Sequence, residues 1–111
     1  MDRLNEYQQI IQEVLTEYAA IPYYHRELQT ELIIGKDNKD YLLITSGWEK
    51  SVRVHACIVH IQIIDSKIWI QRDGTEDGIA NDLVNAGIPK DQIVLGFHPL
   101  EIRPYTEYAV S

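Results

Sequence analysis

The sequence predicts an α+β domain: an N-terminal amphipathic helix packed on a four-stranded antiparallel meander, followed by a second helix, a short strand or turn and an ordered C-terminal tail. Three observations carry that prediction. Apolar residues recur at steps of three and four up to about residue 20, and the period then changes to two until residue 72. The connections inside the period-two region are short enough to join antiparallel neighbours. A dense strand-to-helix corner from Asp65 to Gly78 completes the pattern.

From Asp2 to about Ala20, Leu4, Tyr7, Ile11, Val14, Leu15 and Tyr18 form one stripe, while Gln8, Gln9, Gln12, Glu13 and Glu17 fill the opposite face. Short isolated helices are marginal in water, so this stripe needs a flat apolar surface to cover. Ile21-Pro22 ends the helix, because a residue before proline is pushed out of the helical region. After a link with Tyr23, Tyr24 and His25, strands are predicted at Glu27–Ile34, Asp40–Trp48, Val52–Ile64 and Lys67–Arg72, with turns at 35–39, 49–51 and 65–66. The third strand is apolar on both faces over part of its length, which marks a central strand or one whose faces are exchanged by a bulge. On a regular strand its two histidines, His55 and His60, point to opposite faces and cannot share a metal.

At the corner, Thr75 is expected to supply the N-cap oxygen of a helix running from Glu76 to Ala86, with Glu76 and Asp77 at the positive end of its dipole. Gly87 follows the helix end. Pro89 suits a tight turn or short helical piece, and Ile93 to Phe97 a last short strand. The tail from His98 contains Pro99 and Pro104 and reads as an ordered loop, docked through Leu100, Ile102, Tyr105 and Tyr108.

A length of 111 residues implies one domain, 1–111, large enough for a core without staples. Seventeen acidic against ten basic residues give a net charge of −7, which opposes nonspecific phosphate binding and favours a protein partner. Cys57 is the single cysteine, so an intrachain disulfide is excluded. With neither a signal-peptide pattern nor an apolar run of about 18 residues, the expected compartment is the cytoplasm, away from membranes.

No nucleophile elbow, phosphate loop or metal-ligand spacing is present, so no catalytic residue, cofactor or metal is assigned. Asp73, Glu76 and Asp77 surround Gly74 but lack the oxygen spacing of a calcium loop; capping accounts for them. Arg103, between Ile102 and Pro104, is a candidate anchor for a partner carboxylate. Trp48, Tyr23, Tyr24 and Tyr105 belong either to the core or to an exposed patch.

Several runs carry a family likeness: His60-Ile61-Gln62-Ile63, Lys67 to Ala80 with its core Ile68-Trp69-Ile70-Gln71-Arg72-Asp73-Gly74-Thr75-Glu76, Gly87-Ile88-Pro89-Lys90, Ile93 to Pro99, and Arg103, Tyr105-Thr106-Glu107 and Ala109-Val110. Together they closely resemble the XisI family, the fdxN-element excision controlling factors of cyanobacteria. The likeness departs at the turn, where Asp65-Ser66-Lys67 stands in place of an expected Asp-Gly-Lys. It implies a non-enzymatic regulatory or accessory role in site-specific excision of a DNA element. The implied partner is the nuclease-like XisH companion or a site-specific recombinase, with a homo-oligomer also open. Alternatives are a DNA-binding recombination accessory, an antitoxin-like inhibitor of the companion nuclease and, last, an enzyme acting near His60 and Asp73. Candidate interaction residues are His60, Trp69, Asp73, Thr75, Glu76, Arg103 and Tyr105.

Overall fold

The N-terminal stripe folds as helix α1 (Arg3–Ala19), burying Tyr7, Ile11 and Leu15 with Leu4, Val14 and Tyr18 half-buried beside them. The computed structural model describes residues 3–21 and 27–111, so Pro22, Tyr23, Tyr24 and His25 lie outside the described residues. Strands β1 (Glu27–Ile34), β2 (Asp40–Glu49), β3 (Val52–Ile64) and β4 (Lys67–Asp73) form the antiparallel meander. A fifth strand, β5 (Ile93–Leu95), follows helix α2 (Ile79–Asn85) and lies parallel to β4, pairing Ile68 with Ile93 and Ile70 with Leu95. The sheet order is β1-β2-β3-β4-β5. The expected strand or turn at 93–97 is therefore a strand of the same sheet. Its direction follows from α2, which carries the chain back to the end where β4 began.

Both helices cover one face of this sheet. Tyr41 and Leu43, Val59, Ile61 and Ile63, Ile68 and Ile70, and Ile93 and Leu95 point into a shared core with Ile11, Leu15, Ile79 and Leu83. Fully burying each aliphatic side chain contributes about 1.5–3 kcal/mol. The Tyr41 hydroxyl, its pKa raised by burial, donates to the Asn38 carbonyl at 2.7 Å, and Gln8 of α1 donates to the same oxygen at 3.1 Å.

β3 resolves its double apolar pattern with a bulge. Leu43 pairs with Val59 but the next residue, Ile44, pairs with Cys57, so Ile58 is the extra residue and the core-facing set changes parity there. A second irregularity separates His60 and Ile61, where Gln71 is the extra residue on β4. Gly47, with φ at 145°, meets β1 so closely that an added Cβ would stand 2.0 Å from the Glu27 carbonyl oxygen.

The β3–β4 turn has two residues, Asp65 and Ser66, at φ of 51° and 66°. Two consecutive positive angles define the tight turn whose twist matches the strands it joins. Ser66 therefore occupies the left-handed position that suits glycine.

The start of α2 differs from expectation. Its first residue is Ile79, its N-cap position is Gly78 at φ 86°, and no N-cap side chain contributes a bond. Asp73 Oδ2 instead accepts the Ile79 N–H at 2.7 Å, while Asp73 Oδ1 accepts the Thr75 N–H at 2.9 Å and the Thr75 hydroxyl. A carboxylate with two acceptor oxygens outcompetes a hydroxyl for orphan amides, so Thr75 becomes a donor to the capping residue. At the other end, Gly87 N–H bonds Val84 O and Ile88 N–H bonds Leu83 O, with Gly87 at φ 121° and Ile88 buried. That is a Schellman ending.

Candidate interaction surface

The sheet face away from the helices carries Leu42 and Ile44 of β2, His60 and Gln62 of β3, and Trp69 and Gln71 of β4. A polar ladder crosses it. Gln71 Nε2 donates to Gln62 Oε1 at 3.0 Å, and Gln62 Nε2 donates to Asp40 Oδ1 at 2.8 Å. His60 Nε2 stands 3.5 Å from the same Asp40 oxygen. The register sets Asp40 opposite Gln62, the bulge residue Gln71 reaches Gln62 from β4, and a closed ladder holds half-buried amides at little cost.

The bulge also relocates a histidine. His55 pairs with Ser46 and His60 with Leu42, positions of equal parity on β2, so both lie on this face instead of opposite ones. Four residues of strand separate their partners, about 13 Å at 3.3 Å per residue, which is too far to grip one ion. Among the described residues, no three His, Cys, Asp or Glu side chains converge where they could hold a metal.

Trp69 is half-buried beneath the tail. The Arg103 guanidinium lies 5.2 Å from its ring centroid, while Arg103 Nε donates to His98 O at 3.0 Å and Nη1 to Val110 O at 3.3 Å. Gly96 makes this packing feasible, since a Cβ there would meet Gln71 Oε1 at 2.7 Å and Trp69 Cε3 at 3.1 Å. Arg103, expected to await a partner carboxylate, thus directs two of its nitrogens to its own backbone. Thr106 caps the short turn Arg103–Tyr105 through a 2.8 Å bond to Arg103 O.

Beyond the turn, Ala109 bridges Val94 in parallel and its N–H bonds Ile93 O at 2.9 Å, so the tail runs along the β5 edge. Lys90 Nζ reaches Glu107 at 2.6 Å and Lys67 Nζ reaches Ser111 O at 2.6 Å. The Glu107 carboxylate holds the Lys90 pKa above its ordinary value, and Lys90 holds that of Glu107 below the ordinary carboxylate value.

Tyr105, unlike the residues that pin the tail, is 86% exposed. Phe97, Leu100, Ile102 and Val110 are exposed with it, Leu100 at 58%. The expected docking by Tyr108 holds, whereas Leu100, Ile102 and Tyr105 face solvent. Trp48 is also exposed, at 48%, near the β2–β3 hairpin tip, with Arg53 over its ring at 5.5 Å. Glu76 is exposed ahead of α2, while Asp73 and Thr75 serve the corner. The structure therefore joins Trp69 to Arg103 and Asp73 to Thr75, and leaves His60 in the ladder. Asp40, Gln62, Gln71 and Gly96 were missed by sequence reasoning; polar residues alternating with Ile61, Ile63 and Ile70 were the available signal.

These features define a class: a small α+β protein with both helices on one sheet face and a pinned C-terminal tail bracing the other. Solved structures share that architecture. A XisI-like protein from Anabaena variabilis ATCC 29413 is 33% identical, with a TM-score of 0.87 over 97% of this chain and 99% of its own. The fdxN element excision controlling factor XisI from the same organism is 35% identical, with a TM-score of 0.80 over 99% of this chain and 100% of its own. Residues 1–110 match the family described as XisI protein. The chain belongs to the XisI family. No curated protein matches the sequence.

Proposed function

We propose that this chain is a controlling protein of site-specific DNA-element excision that acts by binding a protein partner and performs no reaction of its own. The nuclease-like companion expected from the family likeness is the first partner, and a recombinase the second. The reading is supported by the relative described as an excision controlling factor. The observation that carries it is the apolar surface of the tail: Phe97, Leu100, Ile102, Tyr105 and Val110 are exposed within fourteen residues that hydrogen bonds hold against the body. Exposed large apolar groups on a fixed backbone mark interaction sites, because burying them on a partner gains the hydrophobic term at little ordering cost.

Co-expression with the companion followed by sizing chromatography tests the reading. Co-elution is expected, together with its loss in the exposed double variant Leu100→Asp/Tyr105→Asp, which should keep the wild-type fold. Failure of the wild-type chain to co-elute would overturn it.

A further inference from the structure

We infer that a second docking site, on the face opposite the tail, receives a basic amphipathic segment of a protein partner. Its place is the groove between the C-terminal ends of α1 and α2, about 370 Å³ in volume. Val14, Tyr18, Ile21 and Ala86 give it an apolar floor, and Glu17 and Asp82 stand at its rim. A volume in this range accommodates one large apolar side chain or two smaller ones.

Charge selects the occupant. Helices α1 and α2 carry four acidic residues, Glu6, Glu13, Glu17 and Asp82, against one basic residue, Arg3, which lies at the end of α1 away from the groove. Neither helix has a basic residue in its last turn, and the negative ends of both dipoles meet at the groove. A Lys or Arg flanking an apolar anchor satisfies both parts of the site: its stem lies on the floor and its charge reaches Glu17, Asp82 and the helix ends. A second hollow, on the solvent face of α1, shares Glu17 and includes Gln12 and Glu13.

The test uses a synthetic amphipathic peptide of Leu and Lys, with a Leu/Glu peptide as its counterpart, titrated into the ¹⁵N-labelled full chain at about 150 mM salt. The Leu/Lys peptide is expected to shift amide resonances of Val14, Tyr18, Ile21 and Ala86 saturably, and the Leu/Glu peptide to leave them in place. Affinity should fall at least about tenfold in Glu17→Lys/Asp82→Lys and hold in Glu27→Lys/Glu31→Lys, which makes the same charge change on the edge strand β1. Equal weakening in both variants, shifts elsewhere on the surface, or no saturable binding would overturn the inference. So would concentration-dependent shifts at the groove without peptide, which would assign it to a second copy. Co-elution through the tail is read separately, so either surface can fail alone.

Discussion

Replacing Arg103 tests whether the tail is a rigid platform or a loose strap. Its guanidinium stacks on Trp69 at 5.2 Å and makes two bonds to backbone carbonyls, at 3.0 and 3.3 Å. A cation–π contact at a partly exposed site contributes about 0.5–1 kcal/mol, and each bond, discounted for solvent, about 1 kcal/mol. Arg103→Ala should therefore weaken tail docking by about 2–3 kcal/mol, which raises the detached fraction roughly 30- to 150-fold. Hydrogen exchange reads that fraction at the Ala109 amide, whose bond to Ile93 O exists only in the docked state. Its protection should fall by the same factor while amides of β2 and β3 keep theirs. Arg103→Lys should recover little, because an ammonium lacks the planar fork that stacks and donates at once. Unchanged protection of Ala109 in the alanine variant, or wild-type protection in the lysine variant, would refute the reasoning.

Two further outcomes follow from single features of the fold. Ser66→Gly relieves a left-handed residue, a cost of about 1–2 kcal/mol, against about 0.5–1 kcal/mol of extra unfolded-state entropy. The net gain of about 0.5–1 kcal/mol should raise the Tm by about 2–4 °C for a domain this size, and a lowered Tm in a thermal melt would count against the two-residue turn. The Lys90–Glu107 pair gives a pH window. The lowered Glu107 pKa means that its contribution is present above the ordinary carboxylate pKa, about 4.3, and is lost as pH falls through the folded value. The raised Lys90 pKa means that its contribution is present below the ordinary lysine value, about 10.4, and is lost as pH rises through the folded one. The tail near Tyr108, whose ring lies 5.9 Å from Lys90 Nζ, should thus loosen as pH falls below the ordinary carboxylate range and as it rises past the ordinary lysine range, with little change between. Tyr108 ring shifts followed by NMR across pH check this, and a single transition near neutrality would contradict it.

Strand existence was legible because it rests on period and turn chemistry, which are local. β1 and β3 begin and end at the expected residues, and of the two readings left open by the mixed faces of β3, a central strand or a bulge, both hold, with Ile58 as the bulge residue. What was not legible depended on competition between side chains. Thr75 was the best local cap, yet Asp73, which closes the preceding strand, reaches the Ile79 amide and delays the helix to that residue. The relation of His55 to His60 inverted for a similar reason: parity along a strand holds only until a bulge, and the bulge residue is fixed by pairing with β2. In the candidate surface, Trp69 and Arg103 were picked out separately and only the fold stacks one on the other. The exposure of Leu100, Ile102 and Tyr105 was hidden because an apolar residue in a tail reads equally as anchor or as display.

Display and anchoring are divided among different residues, and that division bears on mechanism. Arg103, Ala109 and Lys90 hold the tail, whereas Tyr105 and Leu100 make none of those contacts and face outward. A partner closing over Tyr105 would find its backbone already ordered, so little of the burial energy would be lost to fixing the chain. The α1–α2 groove lies beyond the sheet on the other side of a body 24 Å thick in its shortest dimension. The tail displays apolar groups, and the groove adds the carboxylates of Glu17 and Asp82 to its apolar floor. Binding through the tail should accordingly change little as salt rises, while binding at the groove should weaken, because only the second relies on charges that salt screens over about 8–10 Å.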